Sequence, residues 1–319
     1  MARREAFAAL LALGLLAPGC AWRSGDQPEL KAFDPSIQEE QMRRKAAAEA
    51  APEEPDSHSV KEYLRKGDAH HAQGADGAAM WNYLQAHELD PNDPAPVARV
   101  GSLHLMVDAA RAESIFRELS EKHPDSGAAV TGLALVHMEQ RDWQAAREEL
   151  VRAVALRPDS AVTYSALGAC LDRLGQHEEA QAAYTRAIEL HSSFYEALNN
   201  LGVSYITSGK FDAAVEALRK AARLETRDPA VFNNLGLALG RLGRYDAALE
   251  AFRRGGSEQA ARNNLGYVSY LNGDYARARA EYEQALLASG DQRLLVLRNL
   301  RVAMAAESDS QKSAGSPPR

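Results

Sequence analysis

Residues 161–194 read AVTYSALGACLDRLGQHEEAQAAYTRAIELHSSF, and this stretch decides the fold. Tyr164, Leu167, Gly168 and Leu171 recur at i, i+3, i+4 and i+7, which gathers them on one apolar face of a helix. Gly168 on that face presents no side chain, so a partner helix can approach closely. Gly175 then interrupts the helix where a left-handed turn residue is needed. Ala180, Tyr184 and Ala187 follow at spacings of four and three and form the apolar face of a second helix. Small residues mark its crossing point and one large side chain fills the groove.

The same arrangement extends in both directions with a period of 34 residues. Gly67–Ala79, Ala134–Ala146, Gly168–Ala180, Gly202–Ala214, Gly236–Ala248 and Gly266–Ala278 are each twelve residues apart, and Gly101–Ala112 is one shorter. The large second-helix position is Tyr83, Phe116, Leu150, Tyr184, Leu218, Phe252 and Tyr282 in turn. Gly74, Gly209, Gly243 and Gly273 repeat the turn glycine, and Pro91, Pro124 and Pro158 end second helices. Two units depart from the rule. The second has Val107-Asp108 where the turn glycine belongs, which implies a tighter turn or shifted helices. The sixth is 30 residues long and loses about one helical turn near Gly255-Gly256-Ser257, implying either a change of superhelix curvature or a trimmed loop.

These residues resemble the tetratricopeptide repeat, with its aromatic-x-x-Leu-Gly, then Ala, aromatic, Ala and Pro. The resemblance runs from Val60 to Gln292. It implies an all-α fold: a right-handed superhelical solenoid of about seven helix-turn-helix repeats, at 60–93, 94–126, 127–160, 161–194, 195–228, 229–258 and 259–292. A helix over 293–305 is expected to cap the last repeat, because no repeat buries its own apolar stripe.

The flanks read differently. Arg3 and Arg4 precede an apolar run, Phe7–Ala17, interrupted only by Gly14, which is too short for a bilayer span and suits a signal-peptide core at 1–19. Leu16-Ala17-Pro18-Gly19-Cys20 resembles a bacterial lipobox, which implies lipid attachment at Cys20. The alternative is ordinary cleavage after small residues. A lipidated chain with Ala21 and Trp22 next is expected at the outer membrane, facing the periplasm; an unmodified one is soluble in the periplasm or secreted. Residues 20–59, broken by Pro28, Pro35, Pro52 and Pro55, read as a flexible tether. The Ser/Pro-rich residues 306–319 read as a disordered tail.

Composition narrows the chemistry. Lys and Arg number 37 against 44 Asp and Glu, a net charge of −7, and this mixed acidic surface argues against nucleic acid. With two cysteines there is neither a disulfide framework nor a cysteine zinc site. Cys170, mid-helix, is expected to be a small buried thiol. Adjacent His70 and His71 diverge by roughly 100° on a helix and are poorly placed to share one metal. No nucleotide-binding, serine-hydrolase or zinc-protease motif occurs, so the expectation is no enzyme, no cofactor, no metal and no small-molecule substrate.

One feature exceeds the repeat itself. Asn199-Asn200, Asn233-Asn234 and Asn263-Asn264 occupy the same two positions in three consecutive repeats. Asparagine is a mediocre helix former, so the register needs a reason. Some arrays that this chain resembles line a concave groove with first-helix residues, where an asparagine ladder grips peptide backbone. Transferred position by position, Asn200, Asn234 and Asn264 form the ladder, with Asn199, Asn233 and Asn263 beside them and Val203, Arg241, Tyr267 and Tyr270 on the same helices. The structural alternative is bonding between neighbouring helices. The expected function is a lipid-anchored adaptor binding a protein or peptide. Its layout resembles pilus-assembly tetratricopeptide lipoproteins of the Tad or type IV kind. The other reading is a recruiting or regulatory subunit of a periplasmic cell-wall enzyme.

Overall fold

The computed structural model describes residues 59–314, apart from 106, 158, 225, 226, 289 and 291. The expected signal peptide at 1–19, Cys20, the tether except Ser59, Pro158 and residues 315–319 lie outside the described residues. The described residues form fifteen helices and no strand. They fall into two compact units that meet in sequence between Gly175 and Gln176.

The first unit holds α1 (Val60–Ala72), α2 (Asp76–Leu89), α3 (Pro94–Leu105), α4 (Ala109–Lys122), α5 (Gly127–Glu139), α6 (Trp143–Leu156) and α7 (Ala161–Arg173). The second holds α8 (His177–Leu190), α9 (Tyr195–Thr207), α10 (Phe211–Arg223), α11 (Pro229–Arg241), α12 (Tyr245–Gly255), α13 (Glu258–Leu271), α14 (Tyr275–Leu287) and α15 (Arg293–Ala314). Within each unit, helices consecutive in sequence pack side by side.

Helix starts are fixed by short polar side chains. Ser59, Ser126, Ser160, Ser257, Asp108, Asp142, Asp228 and Asp274 each accept a hydrogen bond from a backbone N–H in the first turn. The expected turn glycines Gly74, Gly175, Gly209, Gly243 and Gly273 all have φ between +74° and +79°. Two repeats lack one, and in the third repeat Arg141 takes the left-handed conformation at φ +61°. A side chain there costs roughly 1 kcal/mol, so Arg141→Gly is expected to stabilise the first unit by about that much. Urea titration of the two proteins measures it, and an unchanged or lower midpoint would contradict it. The turn at Val107-Asp108 is tighter: Asp108 N–H donates to His104 O at 2.7 Å while its carboxylate accepts from Arg111 N at 2.9 Å.

In five of the pairs the first helix crosses the second at a glycine (Gly67, Gly101, Gly202, Gly236 and Gly266), whereas α5 has Ala134 at that position. A Cβ on Gly101 would lie 2.7 Å from the Phe116 ring, on Gly236 2.6 Å from the Phe252 ring and on Gly266 2.7 Å from the Tyr282 ring. Tyr83, Phe116, Leu150, Tyr184, Leu218, Phe252 and Tyr282 are all buried. Hydrophobic burial at one crossing draws on the neighbouring repeats, as in the cluster that joins Ala214 and Leu218 of α10 to Phe252 of α12 and Val268 of α13.

The shortened sixth repeat has a local consequence. Helix α12 has 11 residues where α10 has 13. At this joint α13 packs directly against α11: a Cβ on Gly240 would sit 2.5 Å from Val268 Cγ1, and Asn272 Nδ2 donates to Gly240 O at 2.8 Å. Helix α11 is consequently buried around most of its circumference, from Val231 and Phe232 through Asn234 to Gly240. Glu258 ties the joint, accepting from Arg253 and Arg262, each at 2.7 Å, and Arg262 reaches Glu281 at 3.0 Å.

The last helix corrects the expected boundary at Ala305. It continues to Ala314, because residues 306–314 contain neither proline nor glycine and Glu307 accepts from Arg279 at 3.0 Å.

Candidate partner-binding face

The asparagine pairs sit on α9, α11 and α13 of the second unit, and the structure divides them into two groups. Asn199, Asn234 and Asn263 are 3%, 0% and 2% exposed. Asn234 Nδ2 donates to Asn199 Oδ1 at 3.0 Å, and Asn263 Oδ1 accepts from Asn299 Nδ2 at 2.9 Å. These rungs join one first helix to the next, so the interhelical use holds for these three side chains. The rung from α11 to α13 is different: Asn233 Nδ2 donates instead to Gly255 O at 3.4 Å, at the end of the shortened α12.

The three-membered ladder Asn200, Asn234, Asn264 is therefore interrupted at its centre. Asn234 is sealed by the close approach of α13, and its Oδ1 has no hydrogen-bond partner among the described residues. Asn200 and Asn264 keep part of their surface, as does Asn233. Val203 is half-buried against the α9–α13 core. Arg241 lies with its guanidinium 4.6 Å from the centre of the Phe211 ring, a cation–π contact. Tyr267 is buried, which raises its hydroxyl pKa to about 12. Tyr270 is half-buried and stacks obliquely on Tyr275 at 5.4 Å.

The partly exposed strip thus comprises Asn200, Val203, Ile206 and Thr207 on α9, Arg241 on α11, and Asn264 and Tyr270 on α13. Ile206, Thr207 and the rung partner Asn299 were not singled out by sequence. Arg298-Asn299-Leu300-Arg301 echoes Asn-Asn-Leu-Gly, with Arg301 in place of the glycine that marks the motif elsewhere.

Asn234→Ala is expected to cost about 1–2 kcal/mol, because Asn199 Oδ1 is left buried without its donor. Asn200→Ala and Asn264→Ala are expected to melt within about 0.5 kcal/mol of the parent, as surface changes do. Chemical denaturation of the three variants distinguishes these roles, and equal losses would contradict the division.

Other candidate chemistry is quiet. Cys170 is buried, its thiol pKa is pushed up to about 11 by burial, and Sγ donates to Trp143 O at 3.0 Å. His71 Nδ1 lies 2.7 Å from Asp76 Oδ1. No group of three or more histidine, cysteine or acidic residues is placed to hold a metal among the described residues.

Helix pairs crossing at a glycine, joined by left-handed turns and stacked in series, define a helical-repeat array. The chain belongs to the tetratricopeptide-repeat family. Tetratricopeptide-repeat models match residues 125–193 and, in overlapping series, 171–231, 201–257 and 233–293, together just over half of the chain. Three solved structures are similar in fold. Pseudomonas aeruginosa pilF has a TM-score of 0.52 at 22% identity, with 64% of this chain and 96% of that one covered. PilW, described as a widely conserved type IV pilus biogenesis factor, has 0.54 at 18% identity, covering 64% and 98%. The APC/C hetero-tetramer Cut9–Hcn1 has 0.56 at 20% identity, covering 77% and 49%. No curated protein matches the chain.

Proposed function

We propose that this chain is an exported adaptor, anchored through a lipidated Cys20, that binds a partner protein or peptide along the first-helix strip of its second unit. The observation that carries the binding half is the strip itself. The Asn200 and Asn264 amides each offer donors and an acceptor to an extended backbone, while Val203, Ile206 and Tyr270 supply apolar contact and Arg241 a cation. The absence of a catalytic motif in the sequence fits a binding role rather than turnover. Among the described residues no helix is long and apolar enough to cross a membrane, so in this reading attachment rests on Cys20. The lipobox-like Leu16–Cys20 supports that half. A place in pilus or secretion-complex assembly is supported by the fold likeness to PilF and PilW together with this layout.

Two experiments test the two halves separately. Intact-mass analysis of the mature protein from host membranes is expected to find a chain starting at Cys20 with added acyl mass; an unmodified chain would remove the anchor. The combined Asn200→Ala, Asn264→Ala and Tyr270→Ala variant is expected to remain folded and to capture its partner at least about tenfold less efficiently, since interface energy concentrates in few side chains. Undiminished capture would overturn the strip as the binding face.

A further inference from the structure

Helix α15 repeats the first-helix pattern of the array once more. Val296-Leu297-Arg298-Asn299-Leu300-Arg301-Val302-Ala303-Met304 aligns with Ala261-Arg262-Asn263-Asn264-Leu265-Gly266-Tyr267-Val268-Ser269. Two observations fix the register. Asn299 bonds back to Asn263 as Asn234 bonds back to Asn199. Val296 and Ala303 are buried in a cluster with residues of α14, as Ala261 and Val268 are in the core preceding them.

In the seventh repeat the second helix covers one face of the first: Gln259 Nε2 donates to Ala285 O at 3.4 Å, Arg262 reaches Glu281, and Gly266 receives the Tyr282 ring, with the buried Ser269 one turn beyond on α13. The matching residues of α15 are Leu294, Leu297, Arg301 and Met304, and no second helix follows among the described residues. Leu294, Leu297 and Met304 are 83%, 40% and 51% exposed. Among the described residues this face of α15 is open and apolar, whereas a capping helix ordinarily turns a polar outer face to water.

We propose that this face receives an amphipathic helix from a partner protein, one that carries a carboxylate where the array's own second helices carry an aromatic or leucine. Arg301 occupies the glycine position, so the close aromatic-on-glycine crossing is blocked there, and Arg298 lies one turn before it. Both are exposed, and neither makes a hydrogen bond or ion pair among the described residues. By contrast Arg253, Arg262, Arg277 and Arg279 of the same unit are all paired. A basic, apolar slot on a chain of net charge −7 selects an acidic occupant. A second copy fits poorly, because a two-fold pairing of this face sets Arg298 and Arg301 against their own counterparts. This surface is separate from the α9–α13 strip, and its test does not depend on that reading.

The probe is a stapled peptide of this chain's own second helix, Tyr275–Leu287, carrying Tyr282→Glu. Added to the full chain, it is expected to bind and to protect amides of α15 from exchange. Both the unsubstituted peptide and the Arg301→Glu chain are expected to reduce binding at least about tenfold, and a Tyr282→Lys peptide to restore it on Arg301→Glu. Arg301 is exposed, so the variant keeps its fold, and circular dichroism checks this. Equal binding by the parent and Arg301→Glu chains would overturn the proposal. So would a dimer in sedimentation that Leu294→Ser with Leu297→Ser dissolves, assigning the face to a second copy. Binding of a Cys20→Ser chain to phosphatidylglycerol vesicles, lost with the same two serines, would assign it to lipid instead.

Discussion

Phe252→Ala is expected to lower the stability of the second unit by about 3–5 kcal/mol, the cost of emptying a large buried aromatic site. Phe252 is fully buried and faces Gly236, where the backbone of α11 offers no side chain to collapse into the space. Ala214, Leu218, Leu235 and Ala248 belong to the same cluster, so the cavity is walled by groups already committed to neighbouring repeats. In a nearest-neighbour array the loss appears first where it was made. Hydrogen exchange is expected to show α11, α12 and α13 losing protection before α8 and α9. A uniform loss, or one below about 1 kcal/mol, would contradict continuous packing through that crossing.

Gly240→Val is expected to cost about 2–3 kcal/mol, the upper range for forcing atoms into a packed core. This glycine lies outside the repeat signature, and it is needed because the short α12 seats α13 on α11. The added Cβ meets Val268 Cγ1 at 2.5 Å and Val268 Cβ at 3.2 Å, and a β-branched side chain has little freedom to withdraw. The displacement also strains the bond from Asn272 to Gly240 O. Urea unfolding reads the effect, and a midpoint equal to that of the parent would mean that the two helices separate easily at this joint.

The fold was legible because the repeat writes its geometry into few residue types. Glycine at the crossing, alanine and an aromatic opposite, and glycine at the turn each follow from one steric requirement, and that requirement recurs at a fixed period. Arg141 escaped the reading because helix packing on both sides imposes the left-handed turn on a residue that does not prefer it. The extension of α15 to Ala314 escaped it because serines and charges suggest a loop, whereas a helix already anchored on α14 continues until a proline or glycine interrupts it.

The candidate site was legible only in part. Sequence placed the asparagine pairs in register but left two uses open, binding and interhelical bonding. Which one each amide serves depends on the separation of neighbouring first helices. Asn234 is buried where α13 lies directly on α11, while Asn200 and Asn264 retain surface. Spacing along one helix carries no such information. The α15 face stayed hidden for a related reason: Arg301 removes the glycine by which every other first helix but Ala134's is recognised.

The adaptor reading is tested most directly by site-specific photo-crosslinking of the full-length protein in its host. Crosslinkers placed singly at Asn200, Thr207 and Tyr270 on the first helices are expected to trap one common partner protein. One at Lys220, exposed on the second helix α10, is expected to trap none of it. A partner captured from Lys220 while the three first-helix positions stay silent would contradict the account and move the binding surface to the other face of the array.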